Sequence, residues 1–76
     1  MQRQKPQFNN LRNLLPTPAS RLQLSVSTGI HINKINDWLN PEKQSVPKAN
    51  ELIAMADYFD CSVDYLLDLA RIKDRI

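Results

Sequence analysis

Histidine and cysteine, which often serve as nucleophiles, general bases or metal ligands, are too few and too far apart here to build a catalytic or metal site. His31 and Cys61 are the sole histidine and cysteine of the chain and stand thirty residues apart, which suits neither a zinc site nor a paired nucleophile. One glycine excludes the glycine-rich loops that bind nucleotide phosphates. We therefore predict no enzyme, no metal and no cofactor, with His31 as a polar residue at a helix start and Cys61 as a small buried hydrophobe.

The polar residues of segment 31–40 offer a different chemistry. Three asparagines, one lysine, one histidine and one aspartate share this segment, whereas an ordinary solvated helix face is rich in Glu and Lys. Asparagine pairs with adenine, lysine donates to guanine, and an exposed isoleucine such as Ile32 contacts the thymine methyl group. The segment therefore indicates readout of DNA bases; ordinary surface polarity is the alternative.

The periodicity predicts an all-α chain with helices near 7–15, 18–27, 31–39, 48–59 and 62–71. Gly29 is placed at the left-handed position after the second helix. That helix has two possible starts, Thr17-Pro18 and the capping box Ser20-Arg-Leu-Gln23, of which we favour Ser20. Val26 is expected to make inner contacts there, and Pro47 to stand in the first turn of the fourth helix. The expected core is Leu24, Ile30, Ile35, Trp38, Leu52, Ile53, Ala56, Phe59, Val63, Leu66 and Leu67.

Length and composition predict one small domain. We divide the chain into a flexible arm (1–6), a helix-turn-helix domain (7–72, with the motif at about 20–40) and a tail (73–76). No segment has the length of a membrane span, and the polar start is not that of a signal peptide, so we expect a cytoplasmic protein. Seven Lys/Arg face two Asp/Glu through Lys48, net +5, and three face six from Ala49 onward, net −3. This asymmetry suggests one face turned toward a polyanion.

The segment from about residue 20 to 69 resembles the Cro and phage-repressor family, the xenobiotic-response-element type of helix-turn-helix. The resemblance rests on Thr28-Gly-Ile30, on Ile35-Asn-Asp-Trp-Leu-Asn40, on Pro47 and on the stretch from Leu52 to Leu67, Leu-Ile-Ala-Met-Ala-Asp-Tyr-Phe-Asp-Cys-Ser-Val-Asp-Tyr-Leu-Leu. It implies a compact five-helix, lambda-repressor-like domain that binds double-stranded DNA, with a helix over 31–39 in the major groove.

The resemblance also implies roles for individual residues. The base-reading positions of the family fall on Ile32, Asn33, Lys34, Asn36 and Asp37. Its phosphate-contacting positions fall on Arg21, His31, Asn40, Lys43 and Gln44. The segment before Ser20 departs from the family pattern, and Lys48 stands where a Ser or Thr cap is usual.

Two functions follow from the sequence. The first is a small Cro-like repressor that binds a palindromic operator as a homodimer, with Leu69, Ile72 and Ile76 as an apolar stripe on the fifth helix and tail. The second is an antirepressor or modulator of the same fold that binds a partner repressor protein instead of DNA. Salt-dependent retention on DNA distinguishes the two.

Overall fold

A computed structural model describes residues 5–71 and 73 of the chain. Five helices follow one another: α1 (Asn9–Leu14), α2 (Pro18–Thr28), α3 (Ile32–Leu39), α4 (Ala49–Phe59) and α5 (Val63–Leu66). The described residues contain no strand, so the prediction of a small all-α domain is confirmed. None of the described helices combines the length and apolar character that a membrane crossing requires.

Helix α2 begins at the alternative that we did not favour. Thr17 is its N-cap: the Thr17 hydroxyl accepts from the backbone N–H of Ser20 at 3.1 Å, and the Ser20 hydroxyl accepts from the N–H of Thr17 at 3.2 Å. Pro18 occupies the first helical position, where its missing N–H would have no partner in any case. Ser20 therefore completes a capping box from the third helical position, and the predicted start at Ser20 is wrong.

Three helices end at a residue in the left-handed conformation. Gly29 ends α2 with φ 78°, as predicted. Asp60 ends α4 with φ 54°, and Asp68 follows α5 with φ 62°. After α5 the N–H of Leu69 reaches back to the carbonyl of Asp64 at 2.8 Å, which closes the end of this helix.

The fifth helix is therefore much shorter than the predicted 62–71. An aspartate in place of the usual glycine concealed this helix end from sequence reasoning, because Asp adopts the left-handed conformation less often than Gly. The fourth helix also begins later than expected. Lys48 is its N-cap, and Pro47 is a buried residue ahead of the helix rather than part of its first turn.

The core lies where α2 packs on α3 and α4, α4 packs on α5, and α1 covers α5. Its fully or nearly fully buried side chains are Phe8, Leu11, Leu15, Leu24, Ile30, Ile35, Trp38, Leu39, Met55, Ala56, Cys61 and Leu66, and Leu52, Phe59, Val63 and Leu67 pack against them half-buried. Two predictions of inward-facing residues are wrong, that of Ile53 in the core and that of Val26 as an inner contact of the second helix. Ile53 is 56% exposed and Val26 is 77% exposed, because each stands on the side of its helix that faces away from the other helices.

Helix α1 is held in place from the far end of the chain. The carboxylate of Asp68 accepts from the backbone N–H groups of Asn9 and Asn10, at 2.8 and 2.9 Å. The Asn10 side-chain amide donates to the carbonyls of Tyr65 and Ala70. The first amides of a helix have no partner within it, and a carboxylate there also favours the helix dipole. Asp68 thus supplies the cap that α1 lacks locally.

Candidate nucleic-acid interface

The turn between α2 and α3 fixes how the polar segment is presented. Gly29 reverses the chain, and its N–H donates to the carbonyl of Ser25 at 2.9 Å. The hydroxyl of Ser25 donates to the carbonyl of Ile30 and ties the turn back to α2. His31 then caps α3, with its ring Nδ1 accepting from the N–H of Asn33 at 3.1 Å. This bond assigns the ring proton to Nε2, which is left to act as a donor.

The five residues expected to read bases have three different environments. Asn33, Lys34 and Asn36 are exposed. Ile32 is half-buried and packs against the core, so only part of its side chain is open to a thymine methyl group. Asp37 is also half-buried. The prediction of an exposed Ile32 is therefore corrected, since the first turn of α3 uses this side chain for packing.

Lys34, the basic residue of this face, is paired with a carboxylate of the next helix. Its ammonium Nζ lies 3.2 Å from Glu51 Oε2, and the two side chains are 54% and 11% exposed. The other oxygen of Glu51 accepts from the backbone N–H of Lys48 at 2.9 Å. Burial tends to raise the pKa of Glu51, but the Lys48 N–H and the Lys34 ammonium outweigh burial and hold this pKa below its usual value.

A groove of about 590 Å³ runs beside α3. Two arginines and two asparagines give it polar walls, and apolar side chains form the rest of its lining: Arg12, Pro18, Arg21, Leu22, Ile32, Asn36, Leu39 and Asn40. The groove brings together four of the predicted site residues, from α2 and from both ends of α3. Within the described part of the chain, the buried Nε of Arg21 has no hydrogen-bond acceptor.

The remaining predicted phosphate contacts lie in the connection after α3. Asn40 ends the helix, and its side-chain oxygen accepts from the N–H of Glu42 at 3.0 Å. Its carbonyl accepts from the N–H of Lys43 at 3.1 Å. Lys43 and Gln44 are exposed and stand outside the lining of the groove. Asn40 therefore shapes the loop that carries the other two.

Sequence reasoning missed two cations at the C-terminal end of α3. The Lys5 ammonium donates to the carbonyls of Asp37, Asn40 and Ser45, at 3.1, 2.9 and 3.2 Å. The guanidinium of Arg12 donates to the carbonyl of Leu39 at 2.6 Å. Lys5 belongs to the predicted flexible arm (1–6), yet its ammonium is bonded to the domain. Residues 1–4 of that arm lie outside the described part of the chain.

The electrostatics of this cluster are mixed. Partial burial lowers the pKa of Lys5 from its ordinary value, the charge of Asp37 raises it and that of Arg12 lowers it, and the net effect is a lower pKa. The Asp37 carboxylate is thus close enough to Lys5 to act on it. The sequence around Lys5 does not predict these contacts, because Lys5 bonds to carbonyls 32 to 40 positions away.

Comparison of the chain with protein-family models, with curated proteins and with solved structures gives no match. The arguments for a function therefore rest on the geometry of the chain itself. Among the described residues, no three His, Cys, Asp or Glu side chains are grouped so that they could hold a metal ion.

Of the three residues in the predicted dimer stripe, Leu69 is the one that the structure describes. Leu69 is 74% exposed. It follows the end of α5 instead of continuing that helix, so the helical spacing assumed for Leu69, Ile72 and Ile76 does not apply at its first member. Ile72 and Ile76 lie outside the described residues.

Proposed function

We propose that the chain is a cytoplasmic, sequence-specific DNA-binding regulator, a small Cro-like repressor with a helix-turn-helix formed by α2, Gly29 and α3. The observation that carries this proposal is the outer face of α3, where Asn33 and Asn36 are exposed beside a groove flanked by Arg21 and Asn40. Exposed asparagines suit base edges, and the guanidinium group of an arginine that lines the groove suits a phosphate. In this proposal α3 enters the major groove while α2 lies across the backbone.

The charge distribution supports the same assignment. The proposed contacts Arg21, Lys34 and Lys43 all belong to the first 48 residues, whose net charge is +5. A module of this size buries about 600–1,000 Å² of its own surface against DNA, which is too little for strong discrimination alone. We therefore propose that two copies bind half-sites of a palindromic operator, about one helical turn apart.

The test begins with the salt dependence of binding to a mixed-sequence duplex, measured by fluorescence anisotropy. Phosphate neutralisation makes log K fall with log salt concentration by about 0.9 per phosphate contacted. Sites selected from random duplexes then allow the asparagines to be tested. We expect Asn33→Ala to weaken a selected site by about 1–3 kcal/mol and to spare mixed-sequence DNA, whereas Arg21→Ala weakens both and reduces the salt slope by about one. If Asn33→Ala weakens binding equally on every DNA sequence, Asn33 is not a base reader.

One observation favours the second candidate function, a modulator that binds another regulator protein. The pair between Lys34 and Glu51 compensates the charge of the lysine on the readout face, which weakens the attraction of that face for DNA. In this case the outer face of α3 and the adjacent groove contact a protein partner. Retention on DNA that does not change with salt, together with capture of a repressor, would favour this function over the first.

A further inference from the structure

The C-terminal end of α3 is covered by two cations that come from the beginning of the chain. Lys5 donates to three carbonyls, which uses all three protons of its ammonium group. Arg12 donates to the carbonyl of Leu39 and, with its other terminal nitrogen, to the carbonyl of Gln7. We call Lys5 and Arg12 together the cationic cap. The carbonyls of Asp37, Leu39 and Asn40 are thereby all bonded to side-chain donors.

Without the cationic cap, the C-terminal end of α3 would present a negative potential to a polyanion. The last four carbonyls of a helix have no partner within it, and they form the negative end of the helix dipole. Asn40 lines the groove beside this end, and Lys43 follows in the loop. Phosphates approaching these residues would be repelled by exposed carbonyls. The cationic cap bonds the carbonyls of Asp37, Leu39 and Asn40, so they are not presented to approaching phosphates.

The cap also joins the helix to the loop. Lys5 bonds the carbonyl of Asn40 at the start of the loop and that of Ser45 near its end, at 2.9 and 3.2 Å. Residues 41–44, which include Lys43 and Gln44, are therefore held between two points fixed by one side chain. Removing the ammonium takes away both of these bonds at once.

We infer that Lys5 and Arg12 are positioning residues of the proposed DNA interface, which hold α3 and its loop in the binding geometry and are not phosphate contacts themselves. This inference rests on the proposed function. It assigns a role to the segment before α2 that departs from the pattern of the resembling family. Lys5 has no ammonium proton left for a phosphate, which distinguishes it from the exposed Lys43.

The salt slope of DNA binding separates positioning from direct contact. We compare Lys5→Met and Arg12→Met with Lys43→Met, and use Lys73→Met as a control that removes the same charge from the C-terminal segment. Lys5→Met and Arg12→Met are expected to weaken binding to the mixed-sequence duplex by roughly 2- to 30-fold, the range for residues that act through their neighbours, with an unchanged salt slope. Lys43→Met is expected to reduce the slope by about one, as for a lost phosphate contact.

Two outcomes would overturn the inference. A reduction of the slope by about one in Lys5→Met would make this lysine a phosphate contact, and binding equal to that of the unaltered chain would show that the cap positions nothing. If Lys5→Met does not fold, Lys5→Arg serves instead. Lys5→Arg keeps the charge, but its planar fork of donors does not reproduce the compact ammonium that meets three carbonyls, so we expect the same weakened binding with an unchanged slope.

A second measurement keeps this test separate from that of the proposed function. Without any DNA, amide hydrogen exchange at Glu42 and Lys43 reports whether the loop is held, because both N–H groups bond to Asn40. We expect faster exchange at these two amides in Lys5→Met than in Lys73→Met. If the unaltered chain shows no salt-dependent binding to DNA, the proposed function fails, and this exchange still decides whether the cap holds the loop.

Discussion

Glu51 allows stability and binding to be shifted in opposite directions by one substitution. Glu51→Gln keeps the shape of the side chain and an oxygen for the Lys48 N–H, but removes the charge that holds Lys34. An ion pair with one half-exposed partner contributes about 0.2–1 kcal/mol. Exchanging a charge-assisted bond to the Lys48 N–H for a neutral one loses about 0.5–1 kcal/mol. We therefore expect Glu51→Gln to lower the free energy of unfolding by about 1–2 kcal/mol.

That loss is large for a domain whose single core is expected to give about 3–5 kcal/mol of net stability. Urea denaturation at neutral pH measures it, with Glu42→Gln as a matched control. Glu42 is exposed in the loop after α3, so its substitution should change the free energy of unfolding by less than about 0.5 kcal/mol. At the same time, Glu51→Gln frees the Lys34 ammonium on the outer face of α3. We expect tighter DNA binding and a steeper salt slope.

The pH dependence of the free energy of unfolding tests whether the charge of Glu51 causes this loss of stability. The pKa of Glu51 is lower in the folded chain than the ordinary value of 4.5. Its charge therefore stabilises the fold fully above pH 4.5, and this contribution disappears as the pH falls through the folded pKa. The deficit of Glu51→Gln should shrink over the same range. A deficit that persists unchanged in acid would show that shape, not charge, is responsible, and a variant as stable as the unaltered chain at pH 7 would refute the reasoning altogether.

Three further substitutions test the fold. Gly29→Ala should lower the free energy of unfolding by about 1–2 kcal/mol through backbone strain at φ 78° alone, because nothing lies within 4 Å of the added methyl group; thermal denaturation should show a fall of several degrees. Asp68→Asn should lose about 1 kcal/mol and speed hydrogen exchange at the first amides of α1, and unchanged exchange would exclude the cap described for this carboxylate. Ile35→Ala should lose about 2–5 kcal/mol in urea denaturation, whereas Ile53→Ala should lose less than about 0.5 kcal/mol; similar losses would contradict the burial of Ile35 and exposure of Ile53.

The sequence predicted the features that local chemistry determines. Gly29 is the predicted left-handed residue after the second helix, and it has φ 78° there. Periodicity located all five helices. It misplaced Ile53 because α4 is apolar around much of its circumference, and the pattern alone does not say which side meets other helices.

The features that the sequence did not predict depend on partners distant in the chain. Asp68 caps α1 across 59 positions, and Lys5 caps α3 across 32 or more. Any surface lysine or aspartate has the same local pattern, so nothing in the sequence marks these two. The proposed interface also combines local and long-range features. The exposure of Asn33 follows from the helical periodicity. The pairing of Lys34 with Glu51 depends on how α3 and α4 are placed side by side.

The bond between Asp68 and the amides of α1 has a consequence for the order in which the chain folds. A six-residue helix does not form alone in water, and α1 gains its cap only after a loop of nearly the whole described chain has closed. Because helices α2 to α4 meet through shorter loops, we expect α1 to dock late and substitutions in α1 to accelerate unfolding more than they slow folding. Arg12 belongs to α1, so its bond to the Leu39 carbonyl at the end of α3 can form only once α1 has docked.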